Sequence, residues 1–521
     1  MNMYDFVLRG SDHPNAVAVI DEHDRQWSYA QLDTKAAHLS GYLEHTTRAQ
    51  DRCLIYADNG LFWLCAYLSC LRCGRIAVPV APDCTDATLR HILQNASPGV
   101  AFVDGPRLQR LVKYADKSVS VVCEEESDSS EAVCWDEAAS LVPSDKPAAM
   151  AEETIATILY TGGNTDDPRG VILSHGNLGA ACLALSERLA LSDMGRTLTA
   201  ISLADAFGIT IALSALRVGG SIALDNLPLE PQRALSRMTS HNCTGIASTS
   251  AIFQALLNHS GFSGSAIPFI RYIEHVGGKA PLGLIAKLQH AFPKASIHAM
   301  YGMAEAGGAL TSVPPELAIT KCSSAGEPLP RVSIRVLDEY GHALPVGMTG
   351  QIVVESPCVA VGYWNDPERS RQTFRNGRLH TGDLGMLDGD GALQVVGRAE
   401  DFLSLGGVSV TTAQIEQAIS LFPGMRENAV LSRHDDLLAD SVVLVAVHPR
   451  GEEVRQQLLD FCAKQLPFNQ RPRSVLFRSR LPRDISGQVD RRALQEQMQL
   501  EQHALPPAAH TLQAQQDPLL A

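Results

Sequence analysis

The segment TGGNTDDPRG, residues 161–170, combines the residue types of a phosphate-binding loop with two that oppose that role. Its glycines would let backbone N–H groups approach an anion, its threonines can donate hydrogen bonds, and Arg169 supplies a positive charge. Asp166 and Asp167 are adjacent carboxylates and would repel a phosphate. Because the spacing of a Walker loop is absent, an ordinary Gly/Asn/Asp turn is the favoured interpretation of this segment taken alone.

Four further segments place polar side chains beside glycines. They are MYGMAEAGG (300–308), LHTGDLGMLDGDG (379–391), GRAEDFLSLGG (397–407) and LPRDISGQVDRRAL (481–494). The first puts Tyr301, Gly302 and Glu305 just after a predicted strand, and the second puts Asp383 between two glycines. Each segment alone could be an ordinary turn, but their order and spacing together are not expected by chance.

The elements that must position these residues alternate along the chain. Helix-like stretches such as residues 29–45 carry apolar residues at helical spacing, and short β-branched runs such as 75–82 separate them. Residues 154–163 are predicted to be a strand that runs into the glycine-rich turn, and residues 176–191 the helix that follows it. This alternation predicts α/β layers with a largely parallel sheet.

The pattern of apolar and turn residues changes along the chain and predicts separate domains. From about residue 325, alternating strands broken by turn signals predict a β-rich subdomain, and the residues after GRAED predict a small α+β domain. The predicted fold is therefore α/β. A large N-terminal domain of layered sheets and helices (1–400) is followed by a small C-terminal domain (401–500) and a Pro/Gln/Ala-rich flexible tail (501–521).

Composition restricts the class of protein. Of the 521 residues, 45% are hydrophobic and 19% charged, which is typical of a soluble globular protein, and the net charge of −14 argues against non-specific binding to nucleic acid or an anionic membrane. The absence of a signal peptide or a membrane-length apolar run, with twelve scattered cysteines, predicts a cytoplasmic protein with reduced thiols.

Cys70 and Cys73 have CxxC spacing, but a buried helix is favoured over a redox or metal site because no partner motif completes a zinc set.

Taken together, the segments resemble the adenylate-forming ligases, which comprise acyl-CoA synthetases, adenylation domains of peptide synthetases, and luciferases. The resemblance runs from residue 25 to Arg492, and residues 362–391 are very close to the family pattern. It implies that ATP and a carboxylic acid form an acyl-adenylate and pyrophosphate. The small domain, hinged near Asp401, then rotates so that a thiol, usually pantetheine, attacks the adenylate.

The resemblance also implies roles for individual residues. Asp383 would hold the ribose hydroxyls, Tyr301 would pack on the adenine, and Glu305 would ligate Mg²⁺, a cation that prefers oxygen ligands. The implied nucleotide-binding residues are Thr161, Gly163, Thr165, Arg169, Gly277, Gly278, Tyr301, Gly302, Asp383 and Arg398. Gly406 and Gly407 would line a pantetheine tunnel.

The acyl pocket is implied less completely. Asp205 and Phe207 lie in the segment where relatives line the pocket, and Gly307 and Gly308 would form one wall. An aspartate near this place binds the α-amino group of the substrate in peptide-synthetase domains, so an amine-bearing acid is one interpretation. A helix-capping role for Asp205 is an equal alternative.

Several positions depart from the family pattern. In the loop, Gly162 and Asn164 replace hydroxyl residues, Asp166 replaces a glycine and Arg169 replaces a lysine. Ala304 stands where the family has a threonine. Gln488 stands where the family has the lysine that bridges the acyl carboxylate and the α-phosphate, so the implied catalytic positions are Glu305, Arg398 and Gln488.

These departures all weaken one half-reaction. Adenylation brings two anions together, and fixed positive charge aimed at that encounter is usually the largest catalytic term. The leading interpretation is a ligase with weak or lost adenylation that passes the acyl group of an acyl-adenylate to a pantetheine thiol. The alternatives are a fully competent ATP-dependent ligase, an amide-forming ligase, and a non-catalytic binding relic.

Ligands and partners follow from this interpretation. The cofactors would be ATP or acyl-AMP, Mg²⁺, and coenzyme A or phosphopantetheine. The partners would be a small carboxylic acid or its adenylate, CoA or a separate carrier protein, and an enzyme that supplies the adenylate, with neither nucleic acid nor membrane. The sequence does not predict which acid is used or the oligomeric state.

Overall fold

The computed structural model describes most of the chain, in two compact units. The described residues are 2–8, 12–126, 132–161, 168–225, 230–258, 267–277, 280, 283–321, 324–398, 402–405, 408–433, 441–482, 489, 491, 493–495 and 497–498. The first unit comprises the described residues within 2–161 and 168–396, and the second those from 397 onward.

The first unit alternates strands and helices along the chain. Up to residue 398 the strands are β1 (Val17–Ile20), β2 (Gln26–Ser28), β3 (Arg52–Tyr56), β4 (Ile76–Pro79), β5 (Val100–Val103), β6 (Ser120–Cys123), β7 (Ala132–Cys134), β8 (Ile155–Thr161), β9 (Arg169–Ser174), β10 (Arg196–Thr199), β11 (Ser221–Leu224), β12 (Gly245–Thr249), β13 (Tyr272–Val276), β14 (Ser296–Met303), β15 (Gly308–Ser312), β16 (Glu327–Pro328), β17 (Ser333–Leu337), β18 (Gly350–Glu355), β19 (Gly362–Tyr363), β20 (Phe374–Arg375), β21 (Arg378–Leu387) and β22 (Leu393–Arg398). The helices are α1 (Met3–Leu8), α2 (Tyr29–Thr46), α3 (Leu61–Cys73), α4 (Asp86–Ala96), α5 (Gly105–Tyr114), α6 (Trp135–Ala138), α7 (His175–Arg188), α8 (Ala206–Arg217), α9 (Pro231–Ser240), α10 (Ser250–Asn258), α11 (Leu284–Ala291) and α12 (Pro367–Thr373).

Two large sheets, parallel over most of their strands, form the centre of this unit. One has the strand order β16-β15-β14-β13-β12-β10-β11-β1-β2, and the other the order β19-β9-β8-β4-β3-β5-β6-β7. Strands β4 and β5 are buried throughout and apolar, as parallel strands covered on both faces must be. The predicted α/β layers with largely parallel sheet are confirmed.

Helix α3 is the most buried helix of this core, with every residue inside it shielded from solvent. Cys70 and Cys73 are 0% and 2% exposed and are free thiols. Burial raises the pKa of both thiols, which keeps them protonated and unreactive. The interpretation of this CxxC as part of a buried helix is confirmed.

The connection after the 161–170 loop differs from the prediction. Strands β8 and β9 pair antiparallel, with Thr161 opposite Arg169, so the loop joins a β-hairpin and the predicted strand–loop–helix order is wrong. Helix α7 begins only at His175, because Ser174 and Asn177 form a capping box there. The short apolar run of β9 lies between a glycine-rich loop and a strongly capped helix, and the sequence patterns of these two neighbours hide the pattern of the strand.

A third sheet and a second unit complete the fold. Strands β17, β18, β21 and β20 form an antiparallel sheet with β22 added on β21, which confirms the β-rich subdomain. The second unit contains β23 (Phe402–Leu405), β24 (Val408–Thr411), α13 (Thr412–Ser420), β25 (Glu427–Arg433), β26 (Ser441–Val447), α14 (Arg455–Gln465) and β27 (Ser474–Phe477). Apolar residues of α13 and α14 pack on β25 and β26, as expected for a small α+β domain.

Three predictions, for the hinge, the tail and the domain boundary, are not tested by the described residues. The predicted hinge at Asp401 and the predicted tail, 501–521, lie outside the described residues. The predicted domain boundary at 400/401 stays a prediction, four residues from the boundary between the compact units. Among the described helices, none is both long and apolar enough to cross a membrane.

Candidate active site

Parallel strands β12, β13 and β14 end at one edge of the larger sheet, and three of the predicted site residues, Gly277, Tyr301 and Glu305, lie near these ends. Gly277 directly follows β13 with a φ of +84°, a conformation that favours glycine. A Cβ atom on Gly277 would lie 3.4 Å from Cγ2 of Thr249, the last residue of β12. The carboxyl edge of a parallel sheet is where open α/β proteins bind ligands.

The segment from Tyr301 to Gly308 is a tight reversal rather than a loop after a strand. Strand β14 continues through Met303, a 3₁₀ turn spans Ala304–Ala306, and β15 returns antiparallel. A Cβ atom on Gly302 would lie 1.8 Å from the carbonyl oxygen of Gly308, so only glycine fits. The reversal holds Tyr301 and Glu305 at one end of the sheet, and Ala304 brings no hydroxyl to it.

Tyr301 and Asp383 form one hydrogen-bonded pair. The Tyr301 hydroxyl donates to Oδ2 of Asp383 at 2.6 Å, and the aspartate is 9% exposed. Asp383 lies inside β21, not in a turn, and its backbone N–H donates to Oγ1 of Thr381 at 3.1 Å. Thr381 in turn donates to the carbonyl of Ile352 in β18 at 2.9 Å. The carboxylate predicted for ribose is therefore held on a rigid strand.

Glu305 belongs to a second cluster, which contains a tyrosine that the sequence did not single out. The Tyr363 hydroxyl donates to Oε1 of Glu305 at 2.8 Å, and Glu305 is 8% exposed. The guanidinium carbon of Arg169 lies 5.9 Å from the centroid of the Tyr363 ring. The only sequence signal was the position of Tyr363 inside the family-like segment 362–391.

The predicted acyl-pocket residues also lie together. Thr210 of α8 donates to the carbonyl of Gly307 at 2.7 Å. A Cβ atom on Gly308, whose φ is +111°, would lie 3.5 Å from Cα of Phe207. Asp205 caps α8 by accepting from the Phe207 N–H at 2.8 Å. The capping role is thus observed, and it does not test the amine-binding role.

Asp205 is exposed to solvent at the start of α8. Desolvation raises the pKa of its carboxyl, while the backbone N–H donors of Phe207 and Gly208 oppose the rise.

Several predicted residues cannot be placed. Those outside the described residues are Gly163, Thr165, Gly278, Asp401, Gly406, Gly407 and Gln488. Thr161 ends β8, and Arg398 is an exposed residue at the end of β22. Among the described residues, no group of three or more His, Cys, Asp or Glu side chains could hold a metal ion.

The two-sheet α/β core places two buried carboxylates, Glu305 and Asp383, near the carboxyl ends of parallel strands, an arrangement compatible with an enzyme that binds a small ligand there. The model of the AMP-binding enzyme family matches residues 7–364, and the chain belongs to this family of adenylate-forming ligases. The resemblance found in the sequence is confirmed.

Curated relatives and solved structures agree with this assignment. A feruloyl-CoA synthase from Amycolatopsis sp is 27% identical over 93% of this chain and 96% of its own length. A 2-succinylbenzoate–CoA ligase from Bacillus cereus (strain Q1) is 31% identical over 66% of this chain and 70% of its own length. The crystal structure of ATP-bound MatB from Rhodopseudomonas palustris is similar with a TM-score of 0.76 and 26% identity, covering 95% of this chain and 98% of that one. The protein is therefore an acyl-CoA synthetase-like ligase of the acid–thiol type.

Proposed function

We propose that this enzyme transfers the acyl group of an acyl-adenylate to a pantetheine thiol, and that its own adenylation step is weak or lost. The observation that carries the proposal is the contrast between two parts of the site. The Tyr301–Asp383 pair, which suits the ribose of an adenylate, is present and hydrogen-bonded. The groups that would bring a carboxylate against a triphosphate are replaced at Ala304 and Gln488.

The physical chemistry of adenylation supports this division. A carboxylate about 4 Å from a phosphate raises the energy by roughly 1–4 kcal/mol, depending on the effective dielectric, and the loop adds two carboxylates, Asp166 and Asp167. Losing one preorganised donor lowers a rate by about 10²–10³. Attack by a thiol on a preformed adenylate needs neither the bridging lysine nor the triphosphate site.

Glu305 fits a role in holding Mg²⁺, although it is a single carboxylate. Magnesium is commonly bound by one or two carboxylates together with substrate phosphates, and it neutralises phosphate charge. Tyr363 fixes one oxygen of Glu305, and the carboxylate lies two residues from Gly307 in the proposed acyl pocket. ATP or acyl-AMP would be the nucleotide, and CoA or the phosphopantetheine of a separate carrier protein the acceptor.

A competent ATP-dependent ligase is the second candidate, and one observation favours it. Arg169, in place of the family lysine, lies on the ring of the tyrosine that contacts Glu305, so a cation and the proposed metal ligand share one cluster.

The amide-forming ligase and the non-catalytic binder are weaker candidates, because the relatives named above are CoA ligases. Feruloyl and 2-succinylbenzoyl groups are aromatic, so aromatic acids are the first substrates to test. A cytoplasmic location remains part of the proposal.

The test is a divided assay on the purified protein with a panel of aromatic and aliphatic acids. One arm contains ATP, Mg²⁺, acid and CoA, and the other contains synthetic acyl-adenylate and CoA. Mass spectrometry reads the thioester, and competing amines added to both arms detect amide formation. Asp383→Ala is the control, because it removes the proposed ribose ligand.

The outcomes separate the candidates. Thioester from the adenylate arm alone, lost in Asp383→Ala, is the expected result. Thioester in both arms at similar rates would replace the proposal with the competent ligase, amide in preference to thioester would favour the amide-forming ligase, and no product in either arm would favour a binding relic.

A further inference from the structure

We infer that Tyr363 is a positioning residue that holds Glu305 for a divalent cation and Arg169 for the phosphates of the nucleotide. The inference rests on the roles proposed above for Glu305 and Arg169. The side chain of Tyr363 would keep the Glu305 carboxylate, just after β14, and the Arg169 guanidinium, at the start of β9, at a fixed distance from each other. Tyr363 is not expected to touch the reacting atoms.

The hydroxyl of Tyr363 orients the carboxylate. It donates to Oε1 of Glu305 at 2.8 Å, and both residues are at least nine-tenths buried. With Oε1 engaged, the rotation of the carboxylate is restricted. Hydrogen bonds of this kind commonly contribute 10- to 100-fold to metal affinity.

The ring of Tyr363 positions the cation. The guanidinium carbon of Arg169 lies 5.9 Å from the ring centroid, within the range of a cation–π interaction. Arg169 is the first residue of β9 and belongs to the proposed phosphate-binding segment 161–170. A planar guanidinium that rests on an aromatic face loses less freedom when it binds phosphate than a flexible lysine would.

The backbone of Tyr363 is fixed from several sides, as a positioning residue requires. Strand β19 pairs with β9, with Tyr363 opposite Val171. The Tyr363 N–H donates to Oγ of Ser370 at 2.8 Å, and its ring packs against Phe374 with centroids 5.3 Å apart. Because Arg169 and Tyr363 lie on paired strands, the distance between the cation and the ring is set by sheet register.

The experiment measures ATP binding by calorimetry with and without Mg²⁺, together with thermal unfolding. In the wild type, Mg²⁺ should tighten ATP binding. Tyr363→Phe keeps the ring and removes the hydroxyl, so it should reduce this Mg²⁺-dependent gain by 10- to 100-fold and leave metal-free ATP affinity unchanged. Tyr363→Leu should also weaken metal-free binding several-fold, and Arg169→Gln in that background should add no further loss.

The chain contains a matched control. The Tyr4 hydroxyl donates to Asp33, and the guanidinium carbon of Arg72 lies 5.1 Å from the centroid of the Tyr4 ring. This cluster joins α1, α2 and α3 and contains none of the proposed site residues. Tyr4→Phe should lower the unfolding temperature and leave the effect of Mg²⁺ on ATP binding unchanged.

Two results would overturn the inference. One is a Tyr363→Phe profile that matches Tyr4→Phe, with lower stability and an unaltered Mg²⁺ effect. The other is a wild-type protein whose ATP binding is absent or independent of Mg²⁺, since Glu305 would then hold no cation. Failure of the proposed acyl transfer is a separate result, because it is read in the acyl-adenylate arm, which needs no metal.

Discussion

At the scale of single residues, the site joins acidic groups to tyrosine hydroxyls. Asp383 accepts from Tyr301, and Glu305 accepts from Tyr363, so each buried carboxylate has a neutral donor. A neutral donor orients a carboxylate without cancelling its charge. A carboxylate oriented in this way can accept hydrogen bonds from a ribose or ligate a cation.

Replacing Asp383 tests the ribose assignment. Asp383→Ala should weaken binding of a stable acyl-adenylate analogue by at least about 100-fold, because hydrogen bonds to a charged group contribute about 1.5–3 kcal/mol each. Isothermal calorimetry measures the affinity. Tyr301→Phe, which keeps the ring and removes only its hydroxyl, should show a smaller loss. An unchanged affinity in Asp383→Ala would mean that the ribose is held elsewhere.

Replacing Gln488 tests the explanation of weak adenylation. Gln488→Lys restores the cation that the family places between the acyl carboxylate and the α-phosphate. ATP–pyrophosphate exchange with the correct acid should rise, by up to about 10²–10³. Gln465→Lys adds the same charge at an exposed position of α14 and should leave exchange unchanged. Equal exchange rates in wild type and Gln488→Lys would count against this account.

At the scale of elements, the β14–β15 reversal determines the geometry of the site. Gly302→Ala would force a Cβ atom to within 1.8 Å of the Gly308 carbonyl, so the two strands must separate. We expect a loss of stability of about 1–3 kcal/mol or more, together with loss of adenylate binding. Gly389→Ala is the control, because its Cβ atom would meet nothing within 4 Å. Normal unfolding and binding in Gly302→Ala would contradict the close approach of these strands.

Strand β13 carries a buried acid that makes stability depend on pH. Glu274 is 0% exposed, and neither carboxylate oxygen has a hydrogen-bond partner in the described chain. Burial raises its pKa to about 8, and burial lowers the pKa of His298, opposite it on β14, to about 4, so both are neutral near pH 7. The native state therefore keeps a proton that the unfolded chain releases above its own pKa of 4.5. The contribution of Glu274 to stability should therefore fall as pH rises from about 4.5 to about 8, whereas the contribution of His298 rises between about 4 and its ordinary value of 6.5.

Denaturant unfolding between pH 5 and pH 9 checks this expectation. Glu274→Gln keeps the shape of the side chain and removes the titration, so its stability should fall less over this range and exceed that of the wild type near pH 8. The exposed Glu153→Gln should retain the wild-type slope. Parallel curves for wild type and Glu274→Gln would show that Glu274 is ionised in the native state.

At the scale of the whole molecule, the family resemblance implies that the smaller of the two compact units rotates between two half-reactions. If Asp401 is the hinge, as the sequence predicts, this rotation requires freedom of the backbone at that residue. Asp401→Pro fixes φ near −65° and should slow single-turnover thioester formation from acyl-adenylate, with adenylate affinity unchanged. Asp401→Asn is the control for loss of the charge alone. Transfer at the wild-type rate in Asp401→Pro would mean that the rotation does not use this torsion.

Much of the fold and part of the site could be predicted without coordinates. Helix α2, the buried helix α3, the parallel strands and the α+β unit follow from apolar periodicity, which is a property of neighbouring residues. Strand β9 was missed because six residues between a glycine-rich loop and a strong helix cap are too few to show a period. The family resemblance supplied the proposed roles of Asp383 and Glu305.

The amino-acid sequence by itself determined the class of enzyme and, apart from β9, the alternation of strands and helices, since these depend on residue types and their local spacing. Only the tertiary structure decided that Tyr363 contacts Glu305, 58 residues away, and that Tyr301 contacts Asp383, 82 residues away. Such contacts depend on which strands pair and in which register. Local patterns do not encode that pairing, because burial and hydrogen bonding across the whole sheet select it.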